Sequence, residues 1–414
     1  MSENFSIEVV KINKVTIGKH NVALSTISHI DVFESLTQPG ITGYIHIKDY
    51  QGLQEIGSVF AGDDVKISLD VVGDKSKEIT MSFKVYTNEG SKQLNLNTYD
   101  YLQLGFCSPW IIDGLVKNVS KAYSNKLISD IVGDLLKNEC GASIGYIEPT
   151  LQKLETFVSP YWTPYHIIKH LLGFAMNQSK QAGYVCWTDM RSGKVNVTTL
   201  DYMLQGNLGT YETFIVNSAN PRYSGRVKNM MIESNYNTVR QVNTGLPNTK
   251  FHSFNFDKMK IVTTKNDASK TGITRLSKYF PMNSKYIGDS YISHVYTPLF
   301  PQTAESIGSD DTKLEYLIEG QEKNFYNMLS VDTIKINIET LGEMNRRVGW
   351  LAELDYPSAG VNSNDLTGHP QYKGTYLIRE IRHTFSLMSD YNQYITLVSD
   401  GFKEFKNADI VTWI

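Results

Sequence analysis

Cysteine is scarce: Cys107, Cys140 and Cys186 are the three in 414 residues. An odd, widely spaced set builds no disulfide framework, and without a CxxC pair it builds no thiolate zinc site. A reducing place of synthesis is the expectation. The N-terminus carries Glu3 and Glu8 and lacks an apolar core of signal-peptide length. No run of about 20 apolar residues occurs, so neither a spanning helix nor stable membrane association is expected. Net charge is slight, with 40 Lys+Arg against 43 Asp+Glu. That balance argues against a chain whose main work is gripping nucleic acid or an anionic bilayer. Phosphate loops of the G-x-x-x-x-G-K-[ST] or G-x-G-x-x-G kind are missing, as is a G-x-S-x-G elbow. No cofactor, metal or catalytic residue is therefore expected.

What the chain has is tyrosine, 25 residues against 5 Trp. Tyr favours strands and interfaces, because its ring packs while its hydroxyl stays wet. Segments such as 41–47, 65–69, 81–86 and 99–104 alternate apolar and polar residues, the period of half-buried strands. Turn signals separate them, at Pro39-Gly40, Gly62-Asp63, Gly73-Asp74 and Glu89-Gly90. After Pro109 the period changes. Apolar residues at 127, 128, 131, 132, 135 and 136 predict a helix capped by Ser124 or Asn125. A second helix is predicted to follow Pro164, and a hairpin to turn at Arg191-Ser-Gly193.

The expected fold is mainly β with an α+β insertion: two similar small antiparallel β-barrels, a small α+β domain and a peripheral accessory segment. Residues 1–108 form the first barrel and 109–208 the middle domain. Residues 209–264 and 313–402 form the second barrel, 265–312 the accessory insertion and 403–414 a tail. An internal repeat motivates the two barrels. Gly62–Leu69, Met81–Tyr86 and Tyr99–Leu104 parallel Gly349–Leu354, Gly374–Ile381 and Tyr391–Leu397. Each set is a Gly-led strand, an alternating strand and a Tyr-led strand. The competing reading is that any two antiparallel sheets look alike.

Few residues suggest chemistry. His166 and His170 share a helical face, but Ile167 stands where a zinc hydrolase needs its Glu. A surface or partly packed pair is expected. Asp63-Asp64 and Asp310-Asp311 read as turn acids. Tyr161 and Trp162 read as core packing at a helix start. The basic doublet Arg346-Arg347 reads as a solvated loop, with contact to a neighbouring subunit second. Trp413 and Ile414 end the chain on apolar residues, which are usually tied down, on their own domain or on a partner. Arg346, Arg347, Trp413 and Ile414 are thus the candidate partner-interface residues.

Several segments, taken in order, resemble a known family. They are Val32-Phe-Glu-Ser-Leu36 before Gly40-Ile-Thr-Gly-Tyr44, the stretch Tyr123–Val132, and Phe157-Val-Ser-Pro-Tyr-Trp-Thr-Pro164 before an apolar helix. Gly374–Phe385 followed by Tyr394-Ile-Thr-Leu-Val398 completes the set. The set resembles the central baseplate hub of contractile-tailed bacteriophages, which shares its fold with the N-terminal part of type VI secretion spike (VgrG) proteins. The resemblance implies a non-enzymatic homotrimer whose six barrels form a pseudo-sixfold ring between the sixfold tail tube and the threefold spike. Implied partners are the central spike protein, the tail tube or a tube-initiator protein, and baseplate wedge proteins, with DNA only in transit. The implied location is the virion baseplate, after synthesis in the bacterial cytoplasm. A channel wall that is neutral to acidic is expected, since Lys and Arg there would hold phosphates. The alternatives are a carbohydrate- or receptor-binding virion module, which exposes aromatic clusters on loops, and a hydrolase, which needs a pocket of perturbed acids.

Overall fold

A computed structural model describes residues 9–50, 59–72, 78–91, 100–151, 153–221, 223–234, 239, 241, 248–255, 260–267, 272–283, 294–296, 305–306, 311–357, 369, 371–387, 390–403 and 410–412. The first lobe holds β1 (Val9–Ile17), the short β2 (His20–Asn21), β3 (Ile27–Ser35), β4 (Thr42–Asp49), β5 (Asp64–Val72), β6 (Ile79–Ser91) and β7 (Asp100–Cys107). The middle region holds β8 (Ala122–Leu127), β9 (Ile144–Ile147), β10 (Lys153–Val158), β11 (Tyr184–Thr188) and β12 (Val195–Thr199), with helices at Pro109–Val116, Ile128–Asp134, Pro164–Leu172 and Leu200–Leu204. Then come β13 (Thr210–Val216), β14 (Arg226–Ser234), β15 (Asn248–Asn255), β16 (Lys260–Asp267), β17 (Tyr279–Asn283), β18 (His294–Tyr296) and β19 (Glu305–Ser306). A long helix, Asp311–Val331, leads to β20 (Ile334–Leu341), β21 (Leu351–Asp355), β22 (Gly374–Ser386), β23 (Tyr391–Ser399) and β24 (Ile410–Thr412).

One thirteen-stranded sheet runs through both lobes. In the first lobe the spatial order is β1-β5-β6-β7-β4-β3; in the second it is β13-β21-β22-β23-β20-β14. Counted along the chain, both read first, fourth, fifth, sixth, third, second. The register agrees as well as the order. Lys84 pairs with Cys107 across β6 and β7, as Leu377 pairs with Val398 across β22 and β23. Each ladder then bulges once, at Tyr86 and at Arg379. A second shared bulge falls at Ser28 in β3 and at Lys228 in β14. A bulge adds one unpaired residue and bends a strand, so two matched bulges in one register mark duplicated architecture.

The lobes differ in closure. In the second, β13 pairs in parallel with β14 at Ile215↔Arg226 and Val216↔Val227, and in parallel with β21, which closes a six-stranded barrel. Its order thus departs from purely antiparallel pairing at β13. In the first lobe, among the described residues, no ladder joins β1 to β3. There β3 pairs with β22 over seven residues, from Ser35↔Glu380 to His29↔Ser386. The strand β22 is long enough to serve both lobes. Its start, Gly374–Leu377, pairs with β21, and its end pairs with β3.

Alternation explains the layers. In β4 and in β20 every second residue is buried, so one face feeds a core and the other stays wet. The first core packs Val15, Ile45, Ile67, Leu104 and Phe106, and receives Phe385 and Tyr391 from the second lobe. The second core packs Phe214, Ile336, Leu377 and Leu397, and receives Leu36 from the first. The exchange makes the seam between lobes a packed joint as well as a ladder.

The middle region has its own core, with Ile131, Leu135, Phe157, Ile167 and Leu171. Ser124 and Asn125 do not cap a helix: they lie in β8, which pairs with β10. The helix starts at Ile128 without a side-chain cap and ends in a wider π turn, Leu135–Glu139. The second helix follows expectation: Pro164 opens it, and the Thr163 hydroxyl accepts from the His166 amide. The 209–264 stretch gives the second barrel only β13 and β14. Its remaining strands, β15 and β16, form a separate sheet with β18. Much of 265–312 lies outside the described residues; within it β17 pairs with β24, which ties Ile410–Thr412 to its own chain.

Candidate functional site

The shared sheet presents one continuous wet face across the seam. From the first lobe it carries Tyr44, His46, His29, Asp31 and Phe33; from the second, Glu380, Arg382, Tyr394, Asn337 and Glu339. These residues share a face because directly opposed residues in antiparallel strands point the same way. Across the seam, from Phe33 and Tyr44 to Tyr394 and Asn337, the face is concave and bounds a trough of about 1020 Å³. Charges of both signs alternate along it. Lys335 Nζ lies 2.7 Å from Glu233, which also accepts from Asn337 Nδ2 at 2.8 Å. Arg382 Nη2 lies 2.7 Å from Asp31 Oδ2, and its guanidinium sits over the rings of Phe33 and Tyr394. Lys335 beside Glu233 holds that carboxyl below its ordinary value. Burial works to raise Asp31, but His46, Arg382 and Thr384 hold it well below the usual carboxylate range. Burial, then the neighbouring His46, push His29 down.

Beneath the same seam lies a buried polar chain. Glu34, on the core side of β3, sits 3.1 Å from His383 Nε2 on β22 and accepts from the Met190 amide of the middle region. The other nitrogen of His383 meets the Tyr391 hydroxyl at 2.8 Å. Gln393 bonds Tyr391 and the Glu343 carbonyl, and accepts from Arg346. Side chains of both lobes and a backbone amide of the middle region therefore meet at the joint. Buried polar groups persist only when paired in this way. Sequence reading missed both the chain and the His29–Asp31–His46 group. The chain is assembled from strands far apart in sequence, while the His29–Asp31–His46 group depends on the register of the neighbouring strands β3 and β4, with His29-Ile-Asp31 alternation as the one local cue.

The doublet Arg346-Arg347 splits. Arg346 is not in a solvated loop: its side chain is fully buried and donates to Thr340 Oγ1 at 2.9 Å, the Leu341 carbonyl at 2.9 Å and the Ser224 carbonyl at 3.0 Å. An Arg with its donors taken inside the second lobe offers nothing to a neighbouring subunit. Arg347 is partly exposed, lies 3.0 Å from Asp189 and sits over Trp350. Trp413 and Ile414 lie outside the described residues. His166 bonds the Thr163 hydroxyl, while His170 meets Trp162 and Phe174 edge-on, so the pair makes separate contacts. Tyr161 and Trp162 are exposed rather than core residues, at 67% and 40%. Burial raises all three thiols, Cys107 and Cys140 to about 11 and Cys186 to about 12, so none is an activated nucleophile.

No protein-family model matches the chain, and no curated protein sequence does. Solved structures do. A tail protein from Neisseria meningitidis MC58 aligns over 96% of this chain and 98% of its own, with a TM-score of 0.57 at 13% identity. The chain has a phage tail-protein fold. The 43 kDa tail protein of prophage MuSo2 from Shewanella oneidensis shares that fold, with a TM-score of 0.55 at 10% identity over 95% of this chain and 99% of its own. A Francisella PdpA–VgrG complex aligns over 96% of this chain and 55% of its own, at 11% identity and a TM-score of 0.47. At such identities the tail-protein fold carries over while individual side chains do not, so the seam and trough are read from this chain alone.

Proposed function

We propose that this protein is the structural hub of a contractile phage baseplate, a trimer whose six like lobes form a pseudo-sixfold ring. The ring would adapt the sixfold tail tube, or a tube initiator, to the threefold central spike. It would leave a channel for DNA, with wedge proteins around its rim. The supporting observation is the ladder between β3 and β22. It joins the second strand of one repeat to the fifth strand of the other. The counterparts of those strands are β14 and β6. Among the described residues, no strand pairs with β6 beyond Val85 on its β5 side, nor with β14 beyond Val227 on its β13 side. A neighbouring copy would therefore dock β14 on β6 as β3 docks on β22. The pair Phe33↔Arg382 within the chain becomes Ser234↔Glu89 between chains. Such a head-to-tail contact is heterologous and closes into a ring, and it covers edges that otherwise invite aggregation. Three copies with two lobes each give the sixfold.

In that ring the concave wet face lines the channel. Its mixed charge would let DNA pass without the counterion-release binding that a cationic wall produces. Arg347, Trp413 and Ile414 are proposed to meet neighbouring baseplate chains. The reading assigns no catalysis. Native mass spectrometry tests it: the expected mass is three chains. Glu89→Cys combined with Ser234→Cys should give covalently linked trimers on mild oxidation. A chain that stays monomeric at high concentration and with its spike partner overturns the hub. A trimer that the cysteine pair fails to link overturns the β14–β6 junction and keeps the trimer.

A further inference from the structure

On the wet side of the seam, His29 and His46 are cross-strand partners in β3 and β4. Their rings stack with centroids 4.0 Å apart and 16° between planes. The Nε2 atom of each lies 3.7 Å from one oxygen, Asp31 Oδ2. That is too long for a hydrogen bond. It is close to the spacing of two ligands around a tetrahedral cation, about 3.4 Å for bonds of about 2.1 Å. The three ligand atoms all lie within 4.8 Å of one another. Small side-chain rotations bring them onto one ion.

The surroundings hold the three groups in that pose. His46 Nδ1 is 3.0 Å from the Tyr101 hydroxyl, and His29 Nδ1 is 3.2 Å from Ser28 Oγ. With Nδ1–H donating to those oxygens, each Nε2 keeps its lone pair directed at the gap. Orientation of a ligating imidazole through its other nitrogen is the usual outer support of a metal site. Asp31 is fixed likewise: the Thr384 hydroxyl donates to Oδ1 at 2.7 Å, and Arg382 donates to Oδ2 at 2.7 Å. Arg382 is half exposed and can share the carboxylate or swing away. The duplication supplies a contrast. The register places Asn229, Met231 and Glu339 in the second lobe where the first has His29, Asp31 and His46. The imidazole pair belongs to one lobe only, so the shared architecture does not demand it.

We propose that His29, His46 and Asp31 bind a divalent transition metal of the zinc class. Two imidazoles and a carboxylate suit Zn²⁺, Ni²⁺ or Cu²⁺ over Mg²⁺ or Ca²⁺. The site does not depend on the hub reading: it is complete within one chain.

The test is calorimetric titration of Zn²⁺ into tag-free, chelator-stripped protein, with thermal melts in parallel. One Zn²⁺ per chain is expected, with a rise in melting temperature by mass action. The double variant His29→Asn with His46→Ala should melt as the metal-free wild type does and lose the bound equivalent. Tyr101→Phe tests orientation: stoichiometry holds and affinity falls roughly tenfold. The proposal is overturned if wild type takes up no Zn²⁺ at millimolar concentration. It is equally overturned if the folded double variant binds with wild-type stoichiometry and affinity.

Discussion

The two lobes share strand order, register and two bulges, yet fill their cores differently. At one matched cross-strand pair the first lobe has Gly43 opposite Phe106 and the second has Ile336 opposite Leu397. A large ring over a bare backbone in one lobe does the work of two medium aliphatics in the other. Two pairs further along that face, Ile47 opposite Leu102 becomes Thr340 opposite Gln393. There the second lobe admits polar groups and inserts Arg346 to satisfy them. The fold tolerates either solution because each pair is complete. Total volume and polar satisfaction decide the outcome, not the identity of a residue at one position.

That comparison is easiest to break at Arg346. Arg346→Ala removes the donors serving the buried Thr340 and Gln393 and two part-buried carbonyls. Breaking one partner of such a buried charged set costs about 3–5 kcal/mol, read by urea unfolding. The sharper form copies the first lobe. Arg346→Met with Thr340→Ile and Gln393→Leu should recover much of the loss, since apolar replacement of a buried polar set is often neutral. If the triple variant is no better than Arg346→Ala alone, the two lobes are not interchangeable solutions. Next in size is Glu34→Leu. It strands His383 and the Met190 amide beneath the seam, and each buried group left unpaired costs about 1–3 kcal/mol. Hydrogen exchange should rise first in β3 and β22, the strands that join the lobes.

Much of this architecture was legible as period. The strand parts of the repeat segments, 64–69, 81–86 and 100–104, fall on β5, β6 and β7, and their counterparts, 351–354, 374–381 and 391–397, on β21, β22 and β23. A period-2 pattern reports which face is buried, and two sheets of one order repeat it in one order. The seam was not legible, because Glu34 and His383, 349 positions apart in sequence, are brought together by topology. Arg346 was misread for a related reason. A basic doublet on paper carries no sign of which member turns inward, and the partners that hold Arg346, Thr340, Gln393 and the Leu341 and Ser224 carbonyls, come together through the fold. Ser124 and Asn125 looked like caps because capping residues are also turn and strand-edge residues; β10 settles which. The wet face was half visible, since alternation supplies its residues while the ladder β3–β22 makes them neighbours.

A smaller effect is expected at Gly43. A Cβ there would lie 2.3 Å from both the Asp31 carbonyl and the Phe106 ring. Overpacking of this kind costs about 1–3 kcal/mol, so Gly43→Ala should lower the urea midpoint. Phe106→Leu in the same chain removes the ring part of the clash and leaves the backbone part. Partial rescue is the expected result. Full rescue would show that the backbone of β3 can move, and no rescue that the carbonyl contact alone sets the cost.

The smallest effect is expected where the comparison already predicts a substitute. Cys107 occupies in the first lobe the position that Val398 occupies in the second, opposite Lys84 and Leu377 respectively. Both are buried, at 5% and 0% exposure. A buried free thiol behaves as a small hydrophobe, so Cys107→Val should change stability by less than about 1.5 kcal/mol. Burial raises the Cys107 thiol to about 11, so almost none is thiolate near neutral pH. Thiol titration of folded wild type near neutral pH should therefore be slow at Cys107, and the variant should lose one reactive group only after unfolding. A folded chain that reacts fast at Cys107 would mean that the end of β7 opens to solvent. In that case the first lobe, which among the described residues shows no closure of the β13–β14 type, would be the looser of the two.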